Sequence, residues 1–319
     1  MHIVNHDIIL FSGSSHPVLA QEIAQCLGVQ LGNVELNHFP DGEIFVQIME
    51  NVRGRDVFVV QPVALDPNFF LMELLIMTDA LKRASAKSIS LVIPYYGYCR
   101  QDRKDKPRVP ITAKLVANML TDAGATRVLT MDLHAGQLQG FFDIPLDNLY
   151  GRHALVAAVK ALRLDDCVVV TPDVGSIKIA RAFSNDLGVD FAIVDKLRTD
   201  ATQVEAVTLI GDVKGKDVLL ADDMCSTGGT LVSAAKACHE KGARRILAAV
   251  THGLFVGGAV EKIENSLIER VLMTNTIPYT ERLEGSTKIK AVSVANHFAQ
   301  AIKCILSAES ISSLYEPIH

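Results

Sequence analysis

The chain has 319 residues, of which 49% are hydrophobic and 21% charged, the balance of an ordinary globular protein. A formal net charge of −5 and a pI near 6.1 argue against a nucleic-acid binder, which normally presents a basic surface. No apolar run reaches the ~18 residues of a membrane helix, and no basic segment with a long apolar stretch opens the chain. The six cysteines are scattered without a C-x-x-C pair, which predicts no disulfide framework or zinc site and a cytoplasmic location.

Short apolar runs alternate with amphipathic segments along the whole chain. Strands are predicted at residues 8–11, 57–60, 89–93, 128–131, 167–170, 191–194, 218–221, 246–250 and 271–273. Helices are predicted at residues 17–27, 69–83, 111–123, 153–162, 230–241 and 294–306. Continuous β-branched strands separated by helices are typical of the α/β class, with mainly parallel sheets covered by helices on both faces.

The sequence also indicates an internal duplication. A helix that starts at Thr112 leads to Gly124, a strand and His134, and the same landmarks recur at Thr230, Gly242 and His252. The offset is 118 residues each time (230−112, 242−124 and 252−134). Single cores rarely grow beyond roughly 250–300 residues, which also favours two domains. We therefore expect domains at 1–149 and 150–319, joined near residues 149–152.

The strongest local motif is Val218-Leu-Leu-Ala-Asp-Asp-Met-Cys-Ser-Thr-Gly-Gly-Thr230. An apolar strand ends in two carboxylates, and a short loop of hydroxyl and glycine residues leads into a helix. The unpaired N–H groups and positive dipole of a helix start attract phosphate, and glycine lets backbone approach it closely. Asp222 and Asp223 suit sugar hydroxyls, or water on a metal. The motif lacks the Walker A pattern and predicts a site for a phosphorylated sugar.

Three segments of the first half carry candidate chemistry. Pro40-Asp-Gly is a turn signal, and on its own a surface turn is the better interpretation. Residues 100–108 carry five cations against two acids after a predicted strand, where open α/β sheets bind ligands. His134 also directly follows a strand, although a lone histidine is more often structural.

Together these segments resemble the class I ribose-phosphate diphosphokinase family, and the resemblance runs from Ile8 to Tyr315. It implies two similar phosphoribosyltransferase-type domains, the first binding ATP and the second ribose 5-phosphate. The implied reaction moves the β,γ-diphosphate of ATP to the C1 hydroxyl of ribose 5-phosphate, gives 5-phosphoribosyl 1-diphosphate and AMP, and serves nucleotide, histidine and tryptophan biosynthesis. It also implies Mg²⁺ as cofactor and a homohexamer.

The resemblance assigns roles to matched positions. For ATP these are Phe39, Asp41 and Glu43, reaching in from a neighbouring subunit, with Arg100, Gln101 and Asp105. For ribose 5-phosphate they are Asp222, Asp223, Ser226, Thr227, Gly228, Gly229 and Thr230. His134 and Asp173 are the implied Mg²⁺ ligands, and Lys196 and Arg198 match the family's mobile catalytic loop. Regulation by ADP and phosphate is implied at Arg53, Arg108, Ser310 and Ser312.

Departures from the family pattern are few. Residues 171–176 resemble the family's diphosphate loop, but Ser176 stands where a second glycine is common. Leu197 stands where a basic residue is common, and Cys99 where alanine is frequent. None removes a charged catalytic group. Two alternatives remain open: a phosphoribosyltransferase, which would share the loop at 222–230, and a non-catalytic regulatory homologue.

Overall fold

The computed structural model describes residues 8–197 and 206–314, which form two compact units. The first unit contains the chain up to Tyr150, with Thr276–Pro278 and the segment from Val294. The second contains Gly151–Asn275 and Tyr279–Ser293. The division between Tyr150 and Gly151 lies one residue from the junction expected from the sequence. The segment from Val294, however, belongs to the first unit rather than to a continuous domain at 150–319.

The first unit is built on a five-stranded parallel sheet of order β1-β4-β5-β6-β7 and a separate antiparallel hairpin, β2-β3. Its strands are β1 (Ile8–Ser12), β2 (Val34–His38), β3 (Ile44–Ile48), β4 (Asp56–Val60), β5 (Ser88–Ile93), β6 (Arg127–Met131) and β7 (Leu146–Leu149). Its first three helices are α1 (Pro17–Leu27), α2 (Pro67–Arg83) and α3 (Thr112–Ala123). In α3 the buried residues Ala113, Val116, Ala117 and Leu120 recur at helical spacing and form one apolar stripe.

The second unit is built on a seven-stranded sheet of order β10-β9-β8-β11-β12-β13-β14, parallel except for the β9-β10 pair. Its strands are β8 (Cys167–Thr171), β9 (Asp190–Leu197), β10 (Ala206–Ile210), β11 (Asp217–Cys225), β12 (Arg245–Gly253), β13 (Arg270–Thr274) and β14 (Ile289–Val292). Its helices are α4 (Arg152–Ala161), α5 (Ile177–Leu187), α6 (Gly229–Glu240) and α7 (Ala259–Glu264). The predicted α/β class with mainly parallel sheets is confirmed.

Both faces of the second sheet are buried, and successive residues of a strand contribute to opposite faces. Val218 and Leu220 of β11 join one core cluster with side chains of α6 and α7. Leu219 and Ala221 join the opposite cluster with side chains of α4 and α5. Because successive strand residues point to opposite faces, a strand between two helix layers must be apolar throughout. This explains the continuous apolar run that the sequence shows at 218–221.

The last helix, α8 (Ala295–Ser307), packs on α1 in the first unit. Its buried face includes Phe298, Ala299 and Ile302, and Nζ of Lys303 donates to the carbonyl of Cys26 at 3.0 Å. An amphipathic helix docks where its apolar stripe finds a partner, and sequence order does not dictate which sheet supplies it.

The predicted helix–glycine–strand repeat is present in both units. The N–H of Ala125 donates to the carbonyl of Leu120 at 3.1 Å, and the N–H of Ala243 donates to that of Cys238 at 3.0 Å, both after a glycine with positive φ. The histidines at the same offset are not equivalent. His134 is exposed in the loop after β6, whereas His252 is buried within β12.

No helix in the described ranges has the length and apolarity needed to cross a bilayer.

Candidate active site

The motif at 218–230 forms a strand, a short loop and a helix start in the second unit. Strand β11 continues through Asp222 and Asp223 to Cys225, four residues beyond the predicted end, because its pairing with β12 extends to Gly253. Helix α6 begins at Gly229, and Gly228 precedes it with a φ of 75°. Only glycine adopts this left-handed conformation without a steric cost, which explains a glycine at this position.

The loop presents unused hydrogen-bond donors beside the start of α6. Ser226 and Thr230 are partly buried and Thr227 is exposed. Among residues 8–197 and 206–314, no protein group hydrogen-bonds the hydroxyl of any of these three side chains. Three free hydroxyls beside unpaired helix N–H groups are a chemically suitable site for a phosphate group.

Two buried carboxyl groups lie directly before this loop. Asp222 and Asp223 are each only 6% exposed, and the N–H of Asp223 donates to Oδ1 of Asp222 at 2.9 Å. Burial, followed by the charge of Asp223, raises the pKa of Asp222 well above the ordinary carboxyl value. Asp173 adds to this rise, while the hydroxyl of Ser176 opposes it by donating to Asp222. Such a pair can accept hydrogen bonds from sugar hydroxyls.

Asp173 lies just after β8, at the start of the segment that leads into α5. Its Oδ1 accepts the N–H groups of Gly175 at 2.9 Å and Ser176 at 3.2 Å. Oδ2 accepts no hydrogen bond from the part of the chain that the structure describes. One carboxylate oxygen is thus fixed by backbone and the other is available to a ligand.

The two candidate catalytic cations lie at the edge of what the structure describes. Lys196 belongs to strand β9, where it pairs with Val207 of β10, so it lies in a strand rather than in the expected loop. The pairing continues the sheet beyond the apolar run at 191–194 on which the prediction rested. Arg198 lies outside the described residues.

In the first unit, a cavity of about 350 Å³ is lined by Arg100, Gln101, Asp102, Arg103, Asp105, Lys106, Val109, Pro110 and His134. Three residues matched to ATP binding, Arg100, Gln101 and Asp105, share this cavity with the candidate metal ligand His134. The loop is tied to α3 by the N–H of Ala113, which donates to the carbonyl of Gln101 at 3.2 Å, and by the hydroxyl of Thr112, which donates to Oε1 of Gln101.

Arg103 and Lys106 also line this cavity, although no role was assigned to them individually. The excess of cations over acids in residues 100–108 was the signal that pointed to them. With Arg100, they give the cavity three cations, a surface suited to a polyphosphate.

The other matched ATP residues form the turn of the β2-β3 hairpin. The N–H of Phe39 donates to the carbonyl of Glu43 at 2.8 Å, and the N–H of Glu43 donates to Oδ1 of Asp41 at 3.2 Å. The turn expected from Pro40-Asp-Gly is therefore present. All three side chains are exposed, and in the described chain none lines the cavity around His134.

The residues matched to regulation are scattered over the first unit. Arg53 is exposed in a turn where its N–H donates to Oδ1 of Asn51, and Arg108 is exposed with a φ of 65°. Ser310 is exposed, and Ser312 lies in a short 3-10 turn at Ile311–Leu314. The structure does not bring these four residues into one cluster with the cavity around His134.

Comparisons with known proteins agree on one family. The model of the N-terminal domain of ribose phosphate pyrophosphokinase matches residues 8–124, and that of the phosphoribosyl synthetase-associated domain matches residues 198–316. A ribose-phosphate pyrophosphokinase of Wolinella succinogenes is 53% identical over 96% of this chain and 98% of its own. One from Helicobacter hepaticus is 50% identical over the same shares.

A solved structure agrees as well. The phosphoribosylpyrophosphate synthetase of Mycobacterium smegmatis is 39% identical, with a TM-score of 0.89 over 95% of this chain and 99% of that one. The fold thus defines an α/β protein of two units, and the second unit contains the strand–loop–helix motif at 222–230. The chain belongs to the ribose-phosphate pyrophosphokinase family.

Proposed function

We propose that the protein transfers the β,γ-diphosphate of ATP to the C1 hydroxyl of ribose 5-phosphate. One observation carries the assignment of the sugar phosphate. The loop after the buried Asp222–Asp223 pair leads into a helix start and has three hydroxyls that no group in the described part of the chain hydrogen-bonds. The phosphate of the substrate would take the donors of Ser226, Thr227 and Thr230, close to Gly228 and Gly229. Its ribose hydroxyls would donate to the carboxyl groups of Asp222 and Asp223.

The ATP side rests on the cavity of the first unit. Arg100, Gln101 and Asp105 line it, and the cations offset the charge of a polyphosphate. The exposed hairpin residues Phe39, Asp41 and Glu43 would complete the nucleotide site of a neighbouring subunit in a homohexamer. Their exposure, away from the cavity of their own chain, supports this proposal.

Mg²⁺ is the proposed cofactor, with ligands His134 and Asp173. Mg²⁺ keeps several waters and relies on substrate phosphates for part of its ligands, so a site with two protein ligands is sufficient. The available Oδ2 of Asp173 is a suitable hard ligand. When bound, Mg²⁺ would offset the negative charge of the nucleotide phosphates.

The reaction itself demands position and charge stabilisation more than covalent catalysis. The oxygen on C1 attacks the β-phosphorus, the bond from that phosphorus to the bridging oxygen of AMP breaks, and the hydroxyl proton passes to solvent. Asp222 and Asp223 orient the ribose for this attack. Lys196 and Arg198 would stabilise the charge that develops on the transferring group.

Two further assignments follow from the same proposal. Arg53, Arg108, Ser310 and Ser312 would take part in regulation by ADP and phosphate. The six cysteines are unpaired, which supports a reducing compartment such as the cytoplasm.

The decisive experiment is an AMP-release assay with ATP and Mg²⁺, with ribose 5-phosphate present or omitted. We expect AMP and 5-phosphoribosyl 1-diphosphate in equal amounts, only when both substrates and Mg²⁺ are present. A phosphoribosyltransferase or a regulatory homologue releases no AMP from this mixture. Absence of AMP release at substrate concentrations up to several millimolar would overturn the proposal.

A further inference from the structure

Ser176 occupies the N-cap position of α5, but its hydroxyl makes no capping hydrogen bond. An N-cap serine ordinarily accepts the N–H of the second or third helical residue and so stabilises the helix. Here the hydroxyl donates instead to Oδ1 of Asp222, in strand β11. The side chain thus forgoes a local contact for one with a residue 46 positions away in the chain.

The backbone does not require this residue. Ser176 has a φ of −96° and a ψ of 10°, an allowed conformation with negative φ that does not call for glycine. It is 6% exposed, and its N–H donates to Oδ1 of Asp173 at 3.2 Å. Ser176 therefore donates hydrogen bonds to two carboxyl groups, that of Asp173 just after β8 and that of Asp222 within the adjacent strand β11.

We propose that Ser176 is a positioning residue that holds the carboxyl group of Asp222 in the orientation in which it receives the ribose hydroxyls. Oδ1 of Asp222 has two protein donors, the hydroxyl of Ser176 and the N–H of Asp223 at 2.9 Å. Two donors on one oxygen restrict rotation of the carboxyl group. This role rests on the proposed function, because it assumes that Asp222 binds ribose.

Without the hydroxyl, Oδ1 keeps only the N–H of its neighbour, which moves with the strand and constrains the side chain less. The carboxyl group then occupies more than one rotamer in the free protein, and binding must select one of them. The resulting loss of affinity is specific to the sugar phosphate, because Asp222 belongs to the part of the site proposed to bind ribose. A purely structural serine would instead affect both substrates or only the stability of α5.

The test compares Ser176→Ala with Ser184→Ala. Ser184 is the matched control, since it lies on the same helix, is equally 6% exposed and donates to the carbonyl of Val189. We expect Ser176→Ala to raise the KM for ribose 5-phosphate about tenfold or more, the loss typical of a hydrogen bond to a charged group. The KM for ATP and kcat should stay within about twofold of wild type. Ser184→Ala should leave all three constants unchanged.

A double-mutant cycle with Asp222→Ala, which removes the acceptor of Ser176, isolates the contact. If Ser176 acts through Asp222, Ser176→Ala costs much less in the Asp222→Ala background than in wild type. Equal costs in both backgrounds, or equal effects on both KM values, overturn the positioning role.

Calorimetric titration of ribose 5-phosphate in the absence of ATP and Mg²⁺ separates this idea from the proposed function. Binding by wild type that Ser176→Ala weakens supports both. Equal binding by wild type and Ser176→Ala refutes the positioning role alone. Absence of binding by wild type, together with absence of AMP release, refutes the proposed function on which it depends.

Discussion

Asp222 accepts the backbone N–H of Asp223, the next residue of β11, at 2.9 Å, and both residues are only 6% exposed. Two carboxyl groups are thus buried next to each other near the end of a strand that continues to Cys225. Protonation of one of them relieves the repulsion of two buried charges. In the absence of substrate, the protein therefore holds this pair at a cost in stability.

The first expectation is that Asp222→Asn stabilises the protein at neutral pH. The folded-state pKa of Asp222 is raised, mainly by burial and then by Asp223, so protonated Asp222 favours folding. That contribution is complete below the unfolded carboxyl pKa of ~3.9 and is lost as pH rises through the folded pKa. An asparagine keeps an acceptor for Ser176 and offers a donor to Asp223.

We expect the melting temperature of Asp222→Asn at pH 8 to exceed that of wild type by about 2–4 °C, the shift that ~1 kcal/mol gives in a unit of this size. The difference should shrink towards pH 4.5. Scanning calorimetry across this range measures both. Asp190→Asn is a suitable control, because its side chain is 86% exposed and its ion pair with Lys216 is long. A variant less stable than wild type at pH 8 contradicts the expectation.

Alanine substitutions at Gly228 and Gly229 should differ in their effects on stability and on substrate binding. Gly228 has a φ of 75°, so Gly228→Ala should cost about 1–2 kcal/mol of unfolding free energy. Gly229 begins α6 without positive φ, and among the described residues the one atom within 4.0 Å of an added Cβ is Oγ1 of Thr227. Gly229→Ala should therefore fold at least as well as wild type.

Gly229→Ala should nevertheless impair binding of the sugar phosphate if Gly229 gives a phosphate close access to the backbone. We expect Gly229→Ala to raise the KM for ribose 5-phosphate about tenfold without a loss of stability. Urea unfolding and initial rates supply the two measurements. Equal KM values in Gly229→Ala and wild type would exclude close phosphate contact at this glycine.

Much of the fold could be predicted because buried parallel strands carry an unambiguous signal. The nine predicted strands all lie within observed ones, since each is an apolar run between two helix layers. Strand β2 was missed because Val34–His38 mixes apolar and polar residues and has no such run. Strand β3 was missed although it begins with three apolar residues, because its side chains are only partly buried or exposed, unlike those of a strand between two helix layers. The position of α8 was missed because its stripe of alanine and phenylalanine does not encode which sheet it covers.

The candidate site was predictable to a similar extent. Asp222, Asp223 and the loop after them were found because phosphate and sugar hydroxyls require those residue types at a strand end. The contact of Ser176 with Asp222 spans 46 residues and two strands, so no local pattern reports it. Sequence reasoning treated Ser176 as a substitution in a loop, whereas the structure gives its hydroxyl a specific partner.

In the first unit, Glu73 of α2 should be important for stability. It is 1% exposed and accepts three hydrogen bonds, from the N–H and hydroxyl of Ser14 at 2.8 and 2.7 Å and from Nε2 of Gln61 at 2.6 Å. Glu73→Ala removes all three contacts from a buried position. Nε2 of Gln61 then keeps its longer contact with the carbonyl of Phe70 at 3.4 Å, whereas Ser14 is exposed and its donors can bind water. We expect a loss of about 1–3 kcal/mol in urea unfolding, the cost of one poorly paired buried donor.

Met72 supplies the control for this variant. It precedes Glu73 on the same helix and is 48% exposed, so Met72→Ala should change the unfolding free energy by less than ~0.5 kcal/mol. A loss for Glu73→Ala no larger than that of Met72→Ala would show that the loop after β1 does not depend on this carboxylate.

Arg100 should affect ATP and not the sugar phosphate. It lines the cavity that contains His134, so Arg100→Ala removes a cation from the surface proposed to hold the triphosphate. We expect the KM for ATP to rise about 10–100-fold, as for the loss of a charge-assisted contact, while the KM for ribose 5-phosphate stays within twofold. Arg83→Ala is the matched control, because Arg83 is exposed and its ion pair is with Asp79. A larger rise in the KM for ribose 5-phosphate than in the KM for ATP would indicate that this cavity binds the sugar phosphate and not ATP.

Lys196 should act on the chemical step rather than on binding. A cation that stabilises charge only in the transition state lowers kcat when it is removed and leaves substrate affinity nearly unchanged. We therefore expect Lys196→Ala to lower kcat about 10²–10³-fold, with calorimetric binding of ribose 5-phosphate within twofold of wild type. Lys290→Ala, at an exposed position of β14 in the same unit, should keep full activity. Lys196 is in strand β9, which pairs with the edge strand β10. The test therefore also shows whether a cation on this antiparallel pair takes part in the reaction. Near-normal turnover in Lys196→Ala would remove it from the catalytic set.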